Sequence, residues 1–130
     1  MYCVLNEDIE SLEKSCKQIQ QLPKIRFVGV LNKMGRRIAG GFKDGVKSYL
    51  QDKDNQIMYV QLTLEYLMRK DFDDALGSMD YIASRRDKVT MISIPTDDYL
   101  ILISGERDID VEDTIRQVNS AFTTLPDITP

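Results

Sequence analysis

The run Phe27-Val-Gly-Val-Leu-Asn-Lys-Met-Gly-Arg-Arg-Ile-Ala-Gly-Gly41 constrains this chain more than any other stretch. Two short apolar segments flank a polar turn, and Asn32 and Gly35 both tolerate the positive φ that tight hairpins need. Just before it, Ile9, Leu12, Cys16 and Ile19 recur at helical spacing; Asn6 can cap that helix, Glu7 and Asp8 suit its first turn, and Pro23 stops it. A helix running straight into a hairpin is an uncommon opening. It restricts the fold to layouts whose first strand pair packs on the preceding helix.

Downstream, the stretch from Phe42 to Asn55 carries little periodicity and reads as a turn at Asp44-Gly45 followed by a solvated linker. A second helix is expected from about Gln56 to Arg69, then an acidic connector, Asp71 to Asp74. Three strands follow, Ser78 to Ser84, Val89 to Ile94 and Tyr99 to Ser104, joined through Arg85-Arg86-Asp87-Lys88 and Pro95-Thr96-Asp97-Asp98. Tyr99-Leu-Ile-Leu-Ile103 is apolar on both faces and therefore central. Asp110 caps a last helix whose inward stripe is Val111, Ile115, Val118 and Phe122.

Several function classes fall away. The chain has no histidine, so a Ser-His-Asp triad, a His general base and a His-ligated zinc cannot be built. Its two cysteines, Cys3 and Cys16, are too few for a disulfide framework or a metal knuckle, and Cys16 reads as a buried structural thiol. A net charge of -4 opposes nucleic-acid binding. No apolar run reaches the roughly 20 residues of a membrane span, and Met1 to Leu5 lacks the basic start and the length of a signal peptide, so a cytoplasmic location is expected. Gly35 to Lys43 lacks the Gly-Lys-Ser/Thr ending of a P-loop, and neither Asp71-Asp73-Asp74 nor Asp108-Asp110 has the ligand ladder of a calcium loop. Neither a metal nor a cofactor is expected.

The order α-β-β-α-β-β-β-α defines an α+β domain spanning residues 1–130, with a five-stranded antiparallel sheet and helices packed on it. At this point the chain resembles the roadblock family, the dynein-light-chain-like modules with a profilin-like layout. The opening hairpin looks like that family's first strand pair, an apolar strand, a polar turn ending in Gly and a strand reading roughly Ile-Ala. The same run, with residues 68 to 73 and 84 to 89, also resembles an uncharacterised family of small archaeal proteins. The roadblock resemblance implies a non-enzymatic interaction or scaffolding module that forms a homodimer, with a small GTPase or a signalling or cytoskeletal protein as further partner. The alternative is a small-molecule sensor of profilin-like fold, with Gly29, Gly40 and Gly41 leaving room for the ligand.

Two features locate candidate sites. In the second helix, Ile57, Val60, Leu64, Leu67 and Met68 fall on one arc and are expected to face the sheet, while Met58, Tyr59, Leu62 and Tyr66 form an opposite apolar arc. That second stripe is either an interface, which the resemblance implies, or is covered by the Phe42 to Asn55 segment through Phe42, Tyr49 and Leu50. The other feature is the pair of basic turns, Lys33, Arg36 and Arg37 on the first hairpin and Arg85 and Arg86 with Lys88 before the fourth strand. With the profilin-like strand order 2-1-5-4-3 that the resemblance implies, the two turns lie at opposite ends of the sheet, so they form no continuous phosphate track. Asp97 and Asp98 would then neutralise Lys33 and Arg36, and Arg85-Arg86 is the better surface for a partner's acidic patch.

Overall fold

The computed structural model describes the backbone of residues 6–122 and the side chains from Asp8 to Phe122. Asn6 as a helix cap, the Met1 to Leu5 start and Cys3 lie outside those side chains. Helix α1 (Asn6–Gln20) leads into the hairpin β1 (Ile25–Leu31) and β2 (Arg37–Phe42). Helix α2 (Asp52–Arg69) continues through a single 3-10 turn, Lys70–Phe72, into the short α3 (Asp73–Leu76). Strands β3 (Ile82–Arg85), β4 (Val89–Pro95) and β5 (Leu100–Glu106) precede α4 (Val111–Phe122).

The five strands are antiparallel and ordered β2-β1-β5-β4-β3, the order that the profilin-like resemblance implies. Strand β5 lies at the centre, as its apolar character on both faces requires, with β1 and β4 on either side. Helices α1 and α4 cover one face. Leu12, Cys16 and Ile19 of α1 and Val118, Ala121 and Phe122 of α4 close over Val28, Val30, Ile92, Ile101 and Ile103. Polar contacts fix that layer. Ser15 Oγ donates to the Ala121 carbonyl at 3.1 Å, and Asp110 accepts from the Asp113 amide at 2.9 Å as the expected cap of α4.

Two differences from the sequence reading have physical causes. Helix α2 begins at Asp52, earlier than Gln56, because Asp52 and Asp54 in its first turn complement the helix dipole and offset the lack of an apolar signal there. Residues Asp71 to Asp74 form a 3-10 turn and the start of α3 in place of a solvated connector, ending where Gly77 adopts φ 88°.

The opening hairpin is held by glycine at two points. At Gly35 (φ 81°) the turn runs under α2, and a Cβ would sit 2.9 Å from the Val60 Cα. At Gly40 (φ 84°) a Cβ would meet the Val28 carbonyl oxygen at 2.0 Å, while the Gly40 amide donates to Glu13 Oε1 of α1 at 2.9 Å. The space beside Gly29 is taken by the Phe27 ring. Backbone fills the space at Gly40, the Phe27 ring fills it at Gly29, and the Arg37 guanidinium lies 3.2 Å from where a Cβ of Gly41 would sit, which removes the argument that these glycines make room for a ligand.

Candidate functional site

Helix α2 lies on the second face of the sheet, and its orientation reverses the sequence expectation. Tyr59 is 3% exposed and stacks on Phe27 with ring centroids 5.9 Å apart, in a cluster completed by Leu31, Leu100 and Leu102. Met58, Leu62 and Tyr66 pack against that cluster from the same side. The residues expected outside are therefore the ones that face the sheet. Ile57, Val60, Leu64, Leu67 and Met68 point outward, with Leu64 51% and Met68 69% exposed. The apolar stripe continues past the helix through Phe72 to Leu76, which is 83% exposed.

The reversal has an identifiable cause. Both arcs are apolar, so hydrophobicity alone cannot orient the helix; shape does. Thr63 is small, is buried, and returns its hydroxyl to the Tyr59 carbonyl at 2.9 Å, which leaves room for the Gly35 turn. Asn55, also buried, donates to Ser48 Oγ at 2.9 Å and so ties the helix start to the loop before it. These two polar residues lie on the inward arc through contacts that only the folded chain supplies, so no signal in the sequence marks it. Burial of Tyr59 pushes its phenol above the usual tyrosine range.

The loop before α2 does not cover the outward stripe. Phe42 packs edge-on against Phe27 at 4.9 Å, whereas Tyr49 and Leu50 stay largely exposed. From Gln56 to Met68 the only charged residue is Glu65, and Arg69 meets it at 3.6 Å along the helix. That little charge and this much aliphatic surface set this face apart from the ordinary polar outer face of a surface helix.

The basic turns lie at opposite ends of the sheet. The Leu31–Leu100–Pro95 row ends one side, and Val89 paired with Glu106 ends the other. Lys33 lies 4.0 Å from Asp98, as the charge pairing anticipated, and Arg37 donates to the Gly40 carbonyl within its own hairpin. Arg36 is exposed. Arg85 is committed to structure, donating to the carbonyls of Arg107 and Ile109 and so holding the β5–α4 connection. Arg86 and Lys88 are on the other side of the sheet and stay exposed, with the Lys88 ammonium 5.3 Å from the Tyr49 ring centroid. The Arg85-Arg86 pair thus divides between two tasks, Arg85 as the last residue of β3 and Arg86 as the first of the turn that follows.

Cys16 is buried among α1, α4 and the sheet, and burial pushes its thiol up to about 12. Among the described residues no group of three or more His, Cys, Asp and Glu side chains is placed to hold a metal ion, and no helix is long and apolar enough to cross a membrane.

The sequence matches the profile of the family of unknown function DUF6659 over residues 5–122. The chain belongs to that family. None of the curated proteins compared with it matches significantly. Among solved structures, the Roadblock/LC7 domain from Streptomyces avermitilis superposes with a TM-score of 0.62 at 10% identity, covering 92% of each chain. Gliding protein MglB from Thermus thermophilus gives 0.67 at 10% identity, over 93% of this chain and 87% of that one. An MglB described as having a tetrameric arrangement gives 0.67 at 9% identity with the same coverage. This member of DUF6659 therefore has the Roadblock/LC7 fold.

Proposed function

We propose that this chain is a non-enzymatic protein–protein interaction module that pairs with a second copy of itself through the outward face of α2. The observation that carries the reading is the uninterrupted exposed stripe Val60, Leu64, Leu67, Met68 and Phe72 on a helix whose opposite arc is already used by the sheet. A second copy is the occupant best suited to it. A helix face that is apolar along most of its length complements itself across a two-fold axis, since the stripe of one copy packs against the same stripe of the other and few charges are set against like charges. The tetrameric arrangement of the similar MglB supports self-association in this fold. A small GTPase, or a signalling or cytoskeletal assembly, is the further partner class, resting on the Roadblock likeness, with Arg86 and Arg36 as exposed cations on either end of the sheet.

Sedimentation velocity on the wild type and on Leu64→Asp tests this. The wild type should sediment at twice the 14.9 kDa chain mass and the variant at the chain mass with an unchanged far-ultraviolet spectrum. A wild-type monomer, or a Leu64→Asp variant that stays folded and paired, would remove the α2 interface.

A further inference from the structure

Helix α2 and the sheet leave between them a cleft of about 830 Å³ beside the first half of the helix. The floor is a cross-strand row, Phe42 on β2, Phe27 on β1, Ser104 on β5 and Met91 on β4, which the strand registers set side by side. Met58 and Tyr59 of α2 form one wall, the Ser48–Leu50 loop a second, and the Arg86-Asp87-Lys88 turn between β3 and β4 closes the mouth. That volume falls in the range of about 300–1,000 Å³ that small-molecule sites occupy.

Chemistry is distributed unevenly within it. The inner end is aromatic rings and thioethers, a lining that adapts to an apolar body of varied shape. The mouth holds three cations, Arg26, Arg86 and Lys88, and none of them forms an ion pair among the described residues. Arg26 and Lys88 approach the Tyr49 ring at 4.4 and 5.3 Å from its centroid, which gathers two of these charges at one point. The Arg86 amide bonds the Val89 carbonyl at 2.8 Å and fixes the turn that carries the other. Asp54 and Asp87 also line the cleft, so three cations face two carboxylates and the mouth keeps one positive charge in excess, on a chain whose net charge is -4.

We propose that this cleft binds a small amphipathic carboxylate, its acyl or aryl body lying along Phe42, Met58 and Met91 and its acid group held by Arg86 and Lys88. One excess charge fits a monoanion better than a phosphate dianion or a neutral amphiphile. A cleft of this volume walled by α2, the loop before it and the β3–β4 turn suits a compact ligand rather than a length of polypeptide. The site is separate from the outward stripe of α2; Ile57 borders both.

The test is calorimetric titration of the full chain with decanoate below its micelle concentration, against decyltrimethylammonium, which carries the same tail and the opposite charge. Decanoate should bind saturably at one site per chain, and decyltrimethylammonium should not. Reversing both exposed cations, Arg86→Glu with Lys88→Glu, should weaken decanoate by about tenfold or more without changing the melting temperature. Met91→Trp should abolish binding by filling the floor; if that variant does not fold, the charge reversal decides. Equal binding of both amphiphiles, no saturable decanoate binding, or unchanged affinity in the charge-reversed variant would overturn the proposal.

Discussion

The two faces of the sheet are covered in opposite ways. On one, α1 and α4 turn Leu12, Cys16, Ile19, Val118 and Ala121 inward and show solvent Glu10, Lys14, Lys17, Glu112, Asp113 and Arg116. On the other, α2 buries Tyr59 and still presents Val60, Leu64, Leu67 and Met68 outward. The first helix pair follows the ordinary rule for a surface helix, with one apolar stripe spent on the core. The second breaks it. Amphipathic helices finish a fold, whereas a helix apolar on both sides leaves one side for something else.

That contrast can be broken first at the finished face. Leu12→Ala should cost about 2–5 kcal/mol in denaturant unfolding, whereas Leu64→Ala on the outward face should leave chain stability within about 0.5 kcal/mol when measured under monomeric conditions. Comparable losses at the two positions would erase the distinction. Next, Gly35→Ala tests how the hairpin seats α2. It forces a side chain into left-handed backbone against Val60, and about 1–3 kcal/mol should be lost in thermal melts. A neutral result would mean that the turn does not support the helix.

A smaller effect comes from Cys16. Its thiol is raised to about 12 from an ordinary value of 9.0 because burial disfavours the thiolate. The unfolded chain loses this proton first as pH rises. The contribution is therefore whole below about pH 9 and drains away between there and about 12, amounting to about 1 kcal/mol by pH 10. Denaturation midpoints compared at pH 8 and pH 10 for the wild type and for Cys16→Ala check it, since the variant should lose that part of the slope. The smallest effect is at Lys33 and Asp98, an exposed pair 4.0 Å apart, where Asp98→Asn should change stability by less than about 0.5 kcal/mol.

Most of the fold was legible because the α1 and α4 stripes and the β5 run each have one reading. Helical spacing with a polar opposite face can only bury its apolar side, and an apolar run on both faces can only be central. Strand order came from the profilin-like resemblance and not from the elements themselves. The α2 region was legible in kind but not in orientation. Its two apolar arcs compete, and the arbiters are Thr63 beneath the Gly35 turn and Asn55 beside Ser48, contacts that need the folded chain. The split of Arg85 from Arg86 was not legible, because it depends on β3 ending at Arg85. The cleft was not legible, since its walls come from β1, β2, β4, β5, the loop before α2 and α2 itself, and no segment carries a motif for it.

Whether the outward face of α2 meets a second copy decides what this helix is for. Isotope-filtered nuclear Overhauser spectroscopy on a mixture of labelled and unlabelled chain reads that contact directly at individual methyl groups. Intermolecular cross-peaks should appear at Val60, Leu64 and Leu67 and be absent at Leu62, which packs on its own sheet. Cross-peaks at Leu62, or none at the outward methyls at concentrations of hundreds of micromolar, would contradict it.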